Sequence, residues 1–438
     1  MIGARTAGDS YLPGSGNGGY RVTHYELDLR YRMLTNRLDG VATLTAVASS
    51  KLRSFTVDLS RLRVSRVRVD GHRGTRFTQT AHKVTITPPA PVNAGSTFSV
   101  LIEYSGSPAP RSTPWGAVGW EELEDGVLVA AQPSGAPTWF PCNDHPSQKA
   151  TFAIRVATDP DYTVVCNGAL QGTRLSAGLK HWFYVQTQPT ATYLATVQIG
   201  RYELRGTSLG TAAVPGLLAF PSALDARVSA DFAALGDMMD LFVDRFGPYP
   251  FDGYSVVVTE DDLEIPLEAQ GLAIFGANHI DGKGGEERLI AHELAHQWFG
   301  NSVGVAGWQH TWLNEGFACY SEWLWSEHSG KRSADAIAAA SHRVQAALPG
   351  KLVVGDPGPA DMFDDRVYQR GALTVHALRR TLGDDLFFAL LKEWTRRFRY
   401  GTATTDDFRA LAAEMSGREL TGFFDEWLCA PAVPAMPS

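Results

Sequence analysis

The sequence predicts a two-part chain, an antiparallel β-sandwich over residues 1–205 followed by a mostly helical α+β catalytic domain over residues 206–438. Three observations predict it. A length of 438 residues exceeds what one ordinary core fills, and 44% apolar residues supply material for two. The first half alternates with period two. After about residue 225 the apolar spacing becomes helical.

In order along the chain, alternating or β-branched runs at 20–30, 41–47, 83–87 and 98–104 read as strands separated by Gly, Pro, Asn and Asp clusters. The same habit at 150–157 and 182–202 completes the sandwich. Phe232, Leu235, Met239, Leu241 and Phe242 then fall on a helical face until Gly247-Pro248 stops the run. Strand-like stretches at 254–259 and 272–275 follow. Helices are expected at 286–299, 314–327, 334–348, 364–382, 384–397 and 405–415. A small sheet beside many helices is the α+β pattern.

A formal net charge of −8 provides no surplus of Lys and Arg for phosphate backbones or anionic lipid, so neither nucleic acid nor membrane is an expected partner. Cys142, Cys166, Cys319 and Cys429 are widely spaced with no C-x-x-C pair, and buried free thiols are expected. Residues 1–10, MIGARTAGDS, contain no basic start, apolar stretch or small-residue cleavage site. Nowhere do about 18 uncharged apolar residues run together. The expectation is a soluble cytoplasmic protein.

The chemistry is concentrated in AHELAHQWFG at 291–300, which contains H-E-x-x-H as His292, Glu293 and His296 among good helix formers. Residues four apart lie one helical turn apart on one face, so both imidazoles can reach a single ion while Glu293 is turned toward whatever the ion binds. Glu315, in WLNEGFA after 18 intervening residues, offers a third ligand near the start of the next helix. Two imidazoles, a carboxylate and an open position suit zinc in hydrolysis, one Zn2+ per chain. His310, His342 and His376 lack comparable partners and are expected in ordinary surface or core roles.

These residues resemble the aminopeptidase N family of gluzincins, which includes leukotriene hydrolase, and the resemblance extends over essentially the whole chain. It is carried by the His292–Glu293–His296 and Glu315 spacing with flanking Gln297-Trp298-Phe299-Gly300-Asn301. GNGGYRVTHYELDLRY near the start also carries it, as do Trp139-Phe140-Pro141-Cys142, Asp144, Pro146 and Lys149-Ala150-Thr151-Phe152. The resemblance implies a β-sandwich resting on a thermolysin-like catalytic domain. It also implies that the helical carboxy-terminal domain of larger members is absent, since FFDEWLCAPAVPAMPS resembles the end of a catalytic domain.

The same resemblance implies further site residues. Ile265-Pro266-Leu267-Glu268-Ala269 stands where the family has Gly-x-Met-Glu-Asn, and only Glu268, the residue that would bind the substrate α-amine, matches. Gln270 and Gly271-Leu272 follow as in the family, which makes Gly271 a substrate-side candidate. Tyr368 in Val367-Tyr368-Gln369-Arg370-Gly371 resembles the oxyanion-stabilising tyrosine, with Arg370 where a lysine is usual. Gln132 matches a substrate contact, whereas Ser134 stands where an acid or amide is common and offers no charge to an ammonium. Glu322, seven residues after Glu315, is positioned either to hydrogen-bond a ligand or to lie on a solvated helix face.

The function expected is a zinc metallo-aminopeptidase acting on peptides with a free amino terminus, Glu293 being the general base and Tyr368 the oxyanion donor. An endopeptidase or a bifunctional processing protease is the alternative, motivated by the degenerate 265–269 segment and Ser134. A non-catalytic scaffold is a remote one, because the ligand set is intact. An epoxide hydrolase side activity has no specific support in the residues.

Overall fold

The burial pattern of the first strand, Tyr20–Arg32, shows how the sequence makes the amino-terminal half. Tyr20 and Val22 face inward. A bulge between Val22 and His24 then shifts the phase by one residue, so that Tyr25, Leu27, Leu29 and Tyr31 are the buried set thereafter. Polar Arg21, Asp28, Arg30 and Arg32 take the outer positions. The computed structural model describes residues 2–349 and 352–437. Met1 and Ser438, the outer limits of the two expected domains, lie outside the described residues.

Tyr20–Arg32 sits within a seven-stranded sheet, between Arg37–Ala48 and Lys149–Thr158. It pairs antiparallel with the former and parallel with the latter, His24 opposite Thr151. The expected antiparallel sandwich therefore contains one parallel pair, which the long excursion between these two strands permits. A five-stranded sheet with Gly126–Ala130 at its centre and a three-stranded sheet with Lys83–Thr87 at its centre complete this half. Tyr25 stacks on Phe152 and meets Phe140 edge-on, and Trp139 packs against Phe140. Buried aromatics of this size dominate core energetics, each fully buried ring contributing about 1.5–3 kcal/mol.

The second half is built on a mixed five-stranded sheet in the order Glu203–Leu209, Val214–Phe220, Tyr254–Val258, Leu272–Phe275, Leu267–Ala269. Its strands Tyr254–Val258 and Leu272–Phe275 read as nearly continuous apolar runs because both their faces are covered, whereas Glu203–Leu209 at one edge is polar and exposed. Phe220, Tyr254, Val256, Val258, Ala273 and Phe275 face the helices, while Ala219, Val257, Leu272 and Ile274 pack with Leu128, Val165 and Tyr202 of the amino-terminal half. The catalytic sheet thus lies against the β-rich half, and Leu267–Ala269 is its edge strand.

The longer helices are α1 (Asp225–Asp231), α2 (Leu235–Phe246), α3 (Glu287–Ala295), α4 (Trp312–His328), α5 (Ala334–Ala347), α6 (Asp365–Leu382), α7 (Asp384–Arg397) and α8 (Thr405–Ser416), and a single turn follows at Thr421–Phe424. The face at 232–242 is split, because Asp231 closes α1 and its carboxylate accepts the N–H groups of Gly282 and Gly284 at 2.9 and 2.8 Å. The helix expected over 286–299 also ends early. Beyond Ala295 the chain widens, with Asn301, Ser302 and Val303 donating to the carbonyls of His296, Gln297 and Trp298 five residues back.

Cys142, Cys166 and Cys319 are buried free thiols, but Cys429 is exposed, in the carboxy-terminal segment beside Arg409. No helix among the described residues is long and apolar enough to cross a membrane.

Candidate metal centre and active site

His292 and His296 project from α3 one turn apart, their rings 4.7 Å between centroids. Each Nε2 points at one oxygen of Glu315, Oε2, at 3.6 Å from His292 and 3.3 Å from His296. Glu315 is in the first turn of α4, which packs on α3. Glu322, two turns further along the same face of α4, places Oε1 2.8 Å from His292 Nδ1 and is itself approached by Arg288 at 3.4 Å. His296 Nδ1 lies 3.0 Å from the Phe299 carbonyl. With both Nδ1 atoms donating to these acceptors, both Nε2 atoms are left with free lone pairs, the tautomer a metal ligand requires.

Donor atoms of His292, His296 and Glu315 lie within 4.8 Å of one another, and all three residues are buried. Glu268 and Glu293 join His296 in a second such group. Four carboxylates, at 268, 293, 315 and 322, thus share a small, largely dry volume with two imidazoles, an arrangement that a dication stabilises and that is costly without one. Burial alone would raise the Glu315 carboxyl, but the two imidazoles outweigh it and hold it down at about 2. Burial would lower His296, yet Glu315 and Glu268 push it up to about 9. The residues therefore fit a zinc ion, with three protein ligands and room for a fourth.

Glu293 follows His292 on α3 and is 4% exposed, and its Oε2 has no hydrogen-bond partner among the described residues. Burial raises its pKa against the pull of the two imidazoles. A carboxylate held so close to the metal ligands and left unpaired is a base awaiting a proton donor.

Tyr368 arrives from α6 because two glycines let α6 approach α4. A Cβ on Gly316 would meet Gly371 Cα at 2.8 Å, and a Cβ on Gly371 would meet Gly316 Cα at the same distance. Side chains there would force the helices apart. The Tyr368 ring lies parallel to that of His292, 6.2 Å between centroids. Burial, reinforced by Glu315, Glu268 and Glu293, raises its phenol well above the usual range. Arg370 points elsewhere, donating to the carbonyls of Glu426, Ala430, Pro431 and Ala432. Its five-donor fork caps the carboxy-terminal segment, a task an ammonium with three donors meets less completely.

On the other side of the cleft Glu268 stands on the edge strand Leu267–Ala269. Its Oε1 accepts a hydrogen bond from Gln132 Nε2 at 2.6 Å. Burial raises Glu268 to about 7, with His296 opposing and Glu315 and Glu293 adding to the rise. Gly271 adopts φ +70°, and its N–H donates to Gln297 Oε1 at 2.8 Å. Gln297 and Asn301 both donate to the Ala269 carbonyl, at 3.2 and 2.9 Å. The metal-bearing segment therefore grips the turn that carries Glu268. Ser134 is buried, with Arg111 Nη1 3.4 Å from its carbonyl.

Four contributors were not singled out from the sequence as site residues. Gln297 fixes the 269–271 turn, and its signals in the sequence are its position four residues after Glu293 and its place in the flanking segment that carries the resemblance. Lys149, from the amino-terminal half, buries its ammonium and donates at 2.9 Å to the carbonyls of both Asn301 and Ser302. Tyr193 and Asn314 approach each other beside Glu315 and Glu268. His310, His342 and His376 stand apart from the metal site, bonded respectively to Thr405, the Pro434 carbonyl and Asp335.

Comparison with known proteins agrees with this geometry. Residues 21–194 match the model of the peptidase M1 N-terminal domain, and residues 232–427 match the peptidase family M1 domain. Mouse endoplasmic reticulum aminopeptidase 1 is 25% identical over 419 residues, covering 88% of this chain and 45% of that protein. Rice aminopeptidase M1-B is 27% identical over 334 residues, covering 70% of this chain and 37% of that protein. The chain thus spans less than half the length of these curated relatives. An M1 zinc metallopeptidase from Deinococcus radiodurans superposes with a TM-score of 0.91 at 32% identity, covering 99% of both chains. A mutant form of the Deinococcus enzyme bound to a Tyr-Ser-Ala substrate matches equally, with a TM-score of 0.91, 31% identity and 99% of both chains covered. With family models matching both halves and a structural match over the full length, the chain belongs to peptidase family M1.

Proposed function

We propose that this chain is a zinc-dependent aminopeptidase that releases the first residue from peptides with a free amino terminus. The observation that carries it is the placing of Glu268, tied to Gln132, in one cluster with Glu293 and His296. An amine-binding carboxylate at a fixed, short distance from the hydrolytic centre selects the terminal peptide bond. The names of the aminopeptidase relatives and the Tyr-Ser-Ala complex of the Deinococcus enzyme support a peptide substrate.

His292, His296 and Glu315 would hold the zinc ion, which would supply a Lewis acid for water and for the scissile carbonyl. Glu293 takes the proton from the attacking water as its oxygen bonds to the carbonyl carbon, then delivers it to the nitrogen as the C–N bond breaks. Tyr368 donates to the oxyanion between these steps. Glu268 accepts from the substrate ammonium, with the Gln132 carbonyl oxygen beside it. Replacing Glu293 by Gln is expected to leave zinc bound and abolish nearly all turnover. Retained turnover in that variant refutes the mechanism.

An endopeptidase or processing role would use the same chemistry. It is favoured by one feature, Ser134 under the Arg111 guanidinium, which leaves no second carboxylate for an ammonium. Cleavage of acetylated and free peptides at equal rates would establish it. Two domains, 1–205 and 206–438, fit this reading, the edge strand and the metal helices lying in the second. Limited proteolysis that cuts near residue 205 would support that boundary. A cytoplasmic site of action fits thiols that remain unpaired at Cys142, Cys166, Cys319 and Cys429. Fractionation that places the protein outside the cytoplasm would contradict it.

A further inference from the structure

An α-ammonium carries three N–H donors, and the site as described offers it two acceptors, Glu268 and the Gln132 carbonyl oxygen. Ser134, whose buried Oγ also has no hydrogen-bond partner among the described residues, is the less suited of two candidates for the third. The Arg111 guanidinium lies against its backbone, and a cation there repels an ammonium.

Tyr193 is better suited. It is 4% exposed, and its hydroxyl has no hydrogen-bond partner among the described residues. It occupies the short turn Thr192–Leu194, which packs on the strand Leu267–Ala269. Two ties fix that register: the Leu194 carbonyl accepts from Gln270 N at 3.3 Å, and Asn167 Nδ2 bridges the Leu194 and Gln270 carbonyls at 2.8 and 2.9 Å. Gln270 is two residues from Glu268. The Tyr193 ring is set edge-on against Trp308, 5.0 Å between centroids, so it cannot swing away freely. Its hydroxyl faces the Asn314 amide, next to the metal ligand Glu315, and neither amide atom of Asn314 has a partner either. Buried polar atoms without partners are costly to a fold and are rare. Three of them lie near one another, with Glu268 and Glu315 as their charged neighbours.

We infer that Tyr193 is a substrate-binding residue, its hydroxyl oxygen accepting the third hydrogen bond of the α-ammonium while its proton turns to the Asn314 carbonyl oxygen. The inference rests on the aminopeptidase reading above.

The test is Tyr193→Phe, which removes the oxygen and preserves the ring. With an aminoacyl amide, KM is expected to rise about tenfold while kcat stays within about twofold, the usual effect of deleting a hydrogen bond to a charged group. KM for the desamino analogue, bound ammonium absent, is expected to be unchanged, as are zinc content and melting temperature. An unchanged KM for the amine substrate, or equal losses for both substrates, overturns the inference. If the variant folds poorly, a crystal structure of the wild-type protein with L-leucine bound decides instead. The ammonium nitrogen is expected within about 3.2 Å of Tyr193 Oη, and separation by another residue or a water overturns the assignment. The two readings fail separately. Wild-type protein that ignores the free amine sinks the aminopeptidase reading, whereas amine preference that depends on Glu268 but not on Tyr193 sinks only this one.

Discussion

Gln132 Nε2 lies 2.6 Å from Glu268 Oε1, so a side chain of the amino-terminal half holds the carboxylate on the edge strand of the catalytic sheet. The amine-recognition side of the cleft is therefore shared between the two halves, and the hydrolytic side belongs to α3, α4 and α6 alone. Replacing Glu268 by Ala is expected to lower kcat/KM about 100-fold or more on free-amine substrates and much less on acetylated ones, because the lost pairing involves a charged group. Replacing Gln132 by Ala should have the same direction and a smaller size. Steady-state kinetics on both substrate series checks this.

In the proposed mechanism Glu322 would act on the metal through His292, whose Nδ1 lies 2.8 Å from its carboxylate. Because its carboxylate orients the imidazole and fixes its tautomer, Glu322→Ala is expected to weaken zinc binding about 10- to 100-fold with the ligands intact. Competition with a chelator of known affinity measures it. A scarcely altered zinc affinity would return Glu322 to the role of a solvated helix residue.

Tyr368 is placed to donate only when negative charge develops. Tyr368→Phe is expected to lower kcat about 100- to 1,000-fold with little change in KM and none in metal content. An equal loss of ground-state binding would show instead that the ring packs against substrate.

Lys149 links stability to pH. Burial lowers its pKa to about 7, well below the ordinary lysine value of about 10.4. Between these two values the unfolded chain binds more protons than the folded one, so folding stability rises with pH across that window. One proton corresponds to a slope of at most about 1.4 kcal/mol per pH unit. Lys149→Met is expected to flatten that contribution, so the stability difference between variant and wild type should change steadily from pH 7 to 9 in urea unfolding. Parallel curves would show that the ammonium titrates normally.

The metal site was legible because its information is local. His292 and His296 declare themselves by helical spacing and Glu315 by its place 18 residues further on, whereas the seven-residue step to Glu322 leaves that residue between a ligand partner and a solvated helix face. The change from period two to helical spacing likewise marked the two halves. What sequence reading did not supply depends on contacts between distant segments. The parallel pairing of Tyr20–Arg32 with Lys149–Thr158 leaves no trace in either strand's alternation. Lys149 reads only as part of a family signature and Tyr193 as an ordinary aromatic; docking the halves buries Tyr193 and sets the Lys149 ammonium against the Asn301 and Ser302 carbonyls. Arg370 looked like a weakened family motif, and the carbonyl cage it fills comes from about 60 residues downstream. Cys429 was expected to be buried by composition alone, although its segment lies on the surface.

Paired aminoacyl and N-acetyl-aminoacyl fluorogenic amides, assayed with and without a zinc chelator, test the central claim most directly. The account predicts chelator-sensitive cleavage of the free-amine series at least about 100-fold faster than of the acetylated series, with activity restored by zinc. Equal rates on the two series, or turnover that survives complete removal of the metal, would contradict it.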